Sequence, residues 1–329
     1  MARTNLGKRI ALDTRSCGRE SWQMRTRFRA GVLATALAAL GSSVSAAQAA
    51  LTTDLWRVAA GTLVVPAAIA SDGSAALWTP AAALAGGPGP SLRLGVETIH
   101  APADAGVSGA VASAAVRLLG KITLNAVYGR LWLADLVRTE TSPETIGSVP
   151  VYAEVVSLGV ARRPAGSALA VGVAVRALTG RLDYRSETKL VGDVGAEYLG
   201  SHLRLGVATH FFDPTSAARE LGATYTGAAE YRSSQQGVWG APAVVCARYG
   251  VTWAHGEGAT HLVSAGLALA GAFEFDVGAA NERTAGTSVW RSRTGAAVLQ
   301  GRYRVYVGRD GGVNGFGATY RFGLSATAR

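Results

Sequence analysis

Along most of the chain, apolar side chains recur at every second position, and no apolar run reaches the ~20 residues that a membrane-spanning helix needs. Leu92, Leu94 and Val96 alternate with Arg93, Gly95 and Glu97. Ile122, Leu124, Ala126 and Tyr128 alternate with Thr123, Asn125 and Val127. The same period runs through Leu169–Ala177, Leu221–Arg232 and Val245–Trp253. Its longest stretch is Val263–Val277, and Phe316, Ala318, Tyr320, Phe322 and Leu324 give the clearest final strand. A period of two is the signature of a β-strand with two unlike faces. The chain is 49% hydrophobic and only 16% charged. Without a helix-length run, that much apolar surface has to be spread along strands. Forty-two glycines against ten prolines suit curved sheet.

The polar parity decides which kind of sheet. A soluble sandwich hides its apolar face and shows water a dense face of Lys, Glu, Thr and Ser. Here the second face is small and Gly-rich, with single charges interspersed: Arg93, Glu97, Arg176, Arg204, Glu230, Arg232, Arg248, Glu274, Asp276, Arg302, Arg304 and Arg321. That pattern fits a barrel with lipid outside and a narrow polar lumen inside. The alternative is a soluble all-β exported protein. Tyr128, Tyr231, Trp253 and Tyr303 are placed for aromatic girdles. Turn residues punctuate the strands at Arg163–Gly166, Leu199–Ser201, His255–Gly258 and Arg309–Gly312. Polar stretches at Thr139–Val149, Phe212–Ala218 and Asn281–Ser288 are expected to be loops on one rim. About 240 residues follow Ser91, enough for about twelve to fourteen antiparallel crossings, with an even number expected.

The N-terminal residues read as an export signal. Met24 precedes Arg25, Arg27 and Arg29, an apolar stretch from Ala30 to Leu40, and an A-x-A site at Ala47–Ala49. Residues 24–49 are therefore expected to be a cleaved signal peptide, with a buried amphipathic helix as the alternative. Residues 1–23 are expected to be an upstream extension from a misassigned start. Eight of the Lys/Arg residues and two of the Asp/Glu residues fall in the first 50 positions. The remaining 24 and 20 are scattered, which leaves no footprint for nucleic acid. Cleavage would remove Cys17 and leave Cys246 alone, with no disulfide. Residues 50–90 alternate little and carry Pro66, Pro80, Pro88 and Pro90. They are too apolar for a free tail, and the expectation is a plug with short helices folded into the barrel of residues 91–329.

Asp72-Gly73-Ser74-Ala75-Ala76-Leu77-Trp78-Thr79-Pro80-Ala81-Ala82-Ala83-Leu84 resembles the segment that opens mature proteins of the PorV/PorQ family, within the FadL-like transporter superfamily. Thr79 stands where Asn is usual there, and Ala82 where Gly is usual. Gly315–Leu324 resembles the closing strand of the same family. The resemblance implies a fourteen-stranded barrel with its N-terminal segment in the lumen, and marks Asp72, Trp78 and Pro80 as plug residues. Relatives include carriers of hydrophobic compounds and a secretion-system shuttle. Barrels of this kind usually end on an aromatic residue read by the assembly machinery. Here Ser325–Arg329 follow the strand, so Tyr320 and Phe322 would serve from upstream.

Sites for chemistry are few. His100, His202, His210, His255 and His261 have no helical metal-binding spacing. Gly-x-Ser-x-Gly and a phosphate-cradling Gly-Lys-Ser/Thr loop are absent from the sequence. Outer-membrane phospholipases and deacylases use Ser and His at the lipid-facing rim, and His210 or His255 would be the candidates, but they read more simply as polar interface residues. The expectation is a non-enzymatic outer-membrane barrel without cofactor or metal. Its lumen charges either brace the wall as ion pairs or line a path, or both. Three roles stay open: passage of small hydrophobic molecules, an anchor or shuttle for exported proteins, and a structural subunit of an envelope complex. The expected partners are outer-membrane lipid and the barrel assembly machinery, with a small hydrophobic ligand or an exported protein according to role.

Overall fold

The computed structural model describes residues 55–56, 59–60, 63–70, 92–101, 107–118, 122–133, 137–138, 147–213, 223–238, 240–254, 258–284, 287–312 and 317–328. The proposed signal peptide, the upstream extension, His255, Asp72, Trp78 and Pro80 lie outside them.

Fourteen strands form the wall. They are β1 (Leu92–His100), β2 (Val107–Leu118), β3 (Ile122–Leu133), β4 (Val151–Arg162), β5 (Leu169–Leu182), β6 (Arg185–Leu199) and β7 (Leu203–Phe212), followed by β8 (Thr224–Arg232), β9 (Ala241–Ala254), β10 (Gly258–Leu269), β11 (Phe273–Thr284), β12 (Thr287–Gln300), β13 (Tyr303–Asp310) and β14 (Thr319–Ala328). Each pairs antiparallel with its sequence neighbours, and β1 pairs with β14 from Leu92↔Ala328 to His100↔Tyr320. The sheet is closed, so no wall strand presents an unpaired edge. Short pairs decorate the connections, Val137–Arg138 with Gly147–Ser148 and Gln236–Val238 with Ala241–Ala243.

Side-chain parity separates the two surfaces as alternation demands. Leu158, Val194, Val207, Val277 and Val305 are more than half exposed. Their strand neighbours Ser157, Asp193, Ala208, Asp276 and Tyr306 are buried. The exposed set is apolar and the buried set is mixed, the inverse of a soluble protein and the arrangement of a barrel in lipid. Outward aromatics collect toward the strand ends, with Trp132, Tyr152, Tyr225, Trp253, Trp290 and Tyr320 toward one rim and Tyr198, Tyr231, Phe273 and Tyr303 toward the other. Tyr128 lies one turn of the pleat further in, nearer the middle of β3.

The connections β1–β2, β3–β4, β5–β6, β7–β8, β9–β10, β11–β12 and β13–β14 share one rim, here the loop rim, which carries the longest connection, residues 134–150. Strand β1 starts, and β14 ends, at the opposite rim. The stretch Asn281–Ser288 is mostly strand: β11 runs through Thr284 and β12 resumes at Thr287. The alternation Val263–Val277 is also two strands rather than one. A turn at Ala270–Ala272, with Ala270 at φ 55° and Gly271 at φ 65°, sets Leu269 opposite Phe273. Those two residues are four apart, so the parity passes through the turn unbroken. At the C-terminus, Ser325–Ala328 belong to β14 and pair with β1 and β13 instead of trailing from it.

Candidate functional site in the barrel lumen

The described part of the N-terminal segment sits inside the barrel. Residues 55–56 and 59–60 are helical, and a 3-10 turn covers Ala67–Ile69. Three inward glycines receive it. The Trp56 ring lies over Gly129 of β3, where an added methyl would stand 2.6 Å from it. Pro66 lies equally close over Gly250 of β9, and the carbonyl of Ala68 would be 2.1 Å from a methyl on Gly206 of β7. Two lumen arginines grip the same segment by its backbone. Arg293 donates through Nη1 to the Leu63 carbonyl at 2.9 Å, and Arg321 donates through Nη2 to the Ala59 carbonyl.

Around this segment the inward face turns apolar. Leu55, Trp56 and Leu63 pack with Ile99, Val111, Val127, Leu131, Val155, Leu178, Val191 and Phe211 into one buried cluster. The wall residues of that cluster belong to the half of each strand nearer the loop rim or to its middle. The polar parity of the sequence therefore does not hold along the whole lumen. It is apolar around Leu55, Trp56 and Leu63 and charged elsewhere, including at Arg293 and Arg321, which hold the same segment.

Most of the sequence-derived lumen charges meet as ion pairs. Arg321 binds Glu97 at 2.5 Å, both buried. Arg204 binds Glu197. Glu230 takes Arg232 at 2.6 Å and Arg248 at 2.5 Å, and Arg248 reaches on to Asp276 at 2.5 Å. That reach crosses β10 above Gly266, where a methyl would fall within 2.8 Å of Asp276, Cys246 and Arg248. Arg304 binds Glu274 at 2.8 Å and lies over the Tyr306 ring. Arg93 takes an inward position at the start of β1. Two residues depart from the lumen. Arg302 falls in the turn between β12 and β13 and is exposed there, because the strand ends at Gln300. Arg232, the last residue of β8, is half exposed at the mouth.

Other inward charges escaped the sequence reading. Arg291 and Arg293 share Asp310 at 2.9 and 2.8 Å and also contact Glu282. Asp193 is another: it pairs with Arg176, which was expected in the lumen, and accepts from the His210 ring at 2.7 Å and from the Phe211 backbone N–H at 3.0 Å. His210 is thus a buried lumen residue and not a rim residue. Its parity with Arg204 and Gly206 was the available signal. The cluster sits on a β-bulge. The β6–β7 register shifts between Gly192 and Val194, and Phe211 takes a left-handed φ of 58°. His210 and Phe211 then both point inward, the re-aiming that bulges provide. Asp193, His210 and Thr226 lie in the order of a proton relay. The 3.5 Å Thr226–His210 contact and the neutralising Arg176 make them a brace for the bulge. Among the described residues, no group of three or more His, Cys, Asp or Glu side chains could hold a metal ion.

Comparison with known proteins places this architecture. The chain is similar in structure to the toluene transporter TbuX of Ralstonia pickettii, at 10% identity over 80% of this chain and 98% of that one, with a TM-score of 0.53. It is also similar to the toluene transporter TodX of Pseudomonas putida, at 11% identity over 80% and 95%, TM-score 0.47. The outer membrane protein Omp33 of Acinetobacter baumannii follows at 10% identity over 74% and 100%, TM-score 0.42. At such identities the likeness is one of fold, and TbuX carries it. No family model matches the chain, and no curated protein matches it.

Proposed function

We propose that this chain is exported by a signal peptide cleaved after Ala49 and resides in the bacterial outer membrane. There it passes small hydrophobic molecules passively through its lumen, with residues 50–90 as the plug. The observation that carries the reading is the apolar cluster inside the wall. A water-filled pore has no use for inward Ile99, Val127, Leu131, Val155 and Leu178. When the inner segment moves aside, these side chains offer an apolar surface within a barrel that otherwise shows lipid its apolar face. The segment is held by two carbonyls on Arg293 and Arg321, three glycine contacts and the packing of Leu55, Trp56 and Leu63, none of which is a wall hydrogen bond. Such a set can be released without unfolding the wall. The name of TbuX, a toluene transporter, agrees with an apolar cargo.

The test is uptake into vesicles reconstituted with the full mature chain or with a chain lacking residues 51–90, using toluene and a charged solute of similar size. Selective toluene uptake by the full chain, with loss of selectivity on deletion, is the expected result. Equal rates for both proteins and both solutes would overturn the reading. The shuttle or anchor role implied by the PorV/PorQ resemblance draws on Asp72–Leu84, outside the described residues. Co-purification of an exported protein with the intact chain would favour it.

A further inference from the structure

The outward face near the loop rim carries an arrangement that transport does not use. In register across the wall, Trp132 of β3 faces Tyr152 of β4, which faces Arg181 of β5 and then Ser186 of β6. One pair further from the rim run Arg130, Glu154, Thr179 and Thr188. The next such row is Tyr128, Val156, Ala177 and Leu190, where the apolar belt begins. All of these residues have outward parity. Both guanidinium groups gather on one ring: Arg130 lies 4.1 Å from the Tyr152 centroid and Arg181 lies 5.9 Å from it. Arg130 also touches Glu154 at 3.2 Å and remains 44% exposed. The Arg181 Nε donates to the Asp183 carbonyl at 3.0 Å. Thr179 and Thr188 share a hydroxyl contact at 2.9 Å.

A cation pointing at acyl chains is costly at mid-bilayer and nearly free at the interface. Trp132 and Tyr152 mark that interface here. Arg130 and Arg181 flank the Tyr152 ring from the two neighbouring strands, and Glu154, which pairs with Arg130, leaves one positive charge in excess. Guanidinium forks match phosphate oxygens in geometry and charge. The loop rim holds the longer connections, which in such barrels lie outside the cell. We propose that Arg130, Arg181 and Tyr152 bind the phosphate of a phosphorylated acyl lipid in the outer leaflet, whose acyl chains then lie along Tyr128, Val156 and Leu190. This rests on the membrane location proposed above. It is independent of what passes through the lumen.

The experiment is native mass spectrometry of the full mature chain in detergent. The probe is a bisphosphorylated acylated diglucosamine, with its dephosphorylated counterpart and inorganic phosphate as the other arms. The wild-type protein is expected to retain the phosphorylated lipid at least tenfold better than the dephosphorylated one. The Arg130→Gln/Arg181→Gln double variant should lose that preference. Arg162→Gln, an outward arginine at the other end of β4, should keep it. Equal retention of both lipids by the wild-type protein overturns the site, a comparison that needs no variant to fold. Retention by the double variant, or equally strong capture of inorganic phosphate alone, also overturns it. Insertion into vesicles is scored separately. A chain that inserts but shows no preference fails this proposal alone, whereas a chain that does not insert fails the membrane reading.

Discussion

Glu97 and Arg321 show how a single pair ties the wall to its contents. Glu97 is buried on β1 and Arg321 on β14, the two strands that close the barrel. The same guanidinium that neutralises Glu97 donates to the carbonyl of Ala59. Breaking a buried pair from one side leaves an uncompensated charge, at a cost of about 3–5 kcal/mol. Arg321→Gln is therefore expected to lower the urea stability of the folded barrel by about that amount. Adding Glu97→Gln should restore more than half of the loss, because the stranded charge is then gone. A double variant no more stable than Arg321→Gln would show that the grip on Ala59 carries the effect instead. Parity makes both residues legible in the sequence. What it does not give is the partner, since Glu97 and Arg321 are far apart in the chain and meet only when β1 meets β14. Arg302 went the other way: its parity was right, but the strand stopped before reaching it.

At the scale of elements, the inner segment is placed by absences in the wall. Gly129, Gly206 and Gly250 lie on three different strands, and each leaves room for one part of the segment. Gly206 is the most demanding, because the neighbour is the Ala68 backbone and not a side chain that can swing away. Gly206→Ala should therefore push the segment off the wall and raise the leak of a small solute through reconstituted vesicles several-fold, with the strands intact by circular dichroism. Gly192→Ala is the control, since its new methyl meets nothing nearer than 3.9 Å. An unchanged leak in Gly206→Ala would mean that the segment does not limit passage. The bulge in β7 is the other element-scale feature. Alternation cannot announce it, because an extra residue looks like one broken step. Its cost in backbone strain at Phe211 is offset by the Asp193 carboxylate, which caps the freed amide and pairs with Arg176 and His210.

The wall is a closed ring of hydrogen bonds with its apolar surface outside. Because every wall strand is paired on both sides, opening it requires breaking a complete ladder rather than peeling an edge. The unboiled protein is expected to migrate as a compact species in detergent gels and to shift to an extended, slower band after boiling. A single position before and after heating would count against closure. A ring of this kind also explains why the outer surface can carry the Arg130–Tyr152–Arg181 cluster without disturbing the lumen. Successive side chains along a strand belong to different environments.

The strand architecture, the sign of each face and an even number of crossings are written in the order of the residues. These follow from a period of two and from the chemistry of each parity, which are local properties. Strand boundaries were legible only where turn residues interrupted the pattern, so Ala270–Ala272 and the extension of β14 to Ala328 went unseen. The tertiary structure alone decided which charges pair, where the lumen is apolar, and how residues 55–70 are held. Those depend on closure, which brings β1 against β14 and stacks one wall face around a segment that follows no period. Ile99, Val127 and Leu131 look out of place on the polar parity until Trp56 and Leu63 are packed against them.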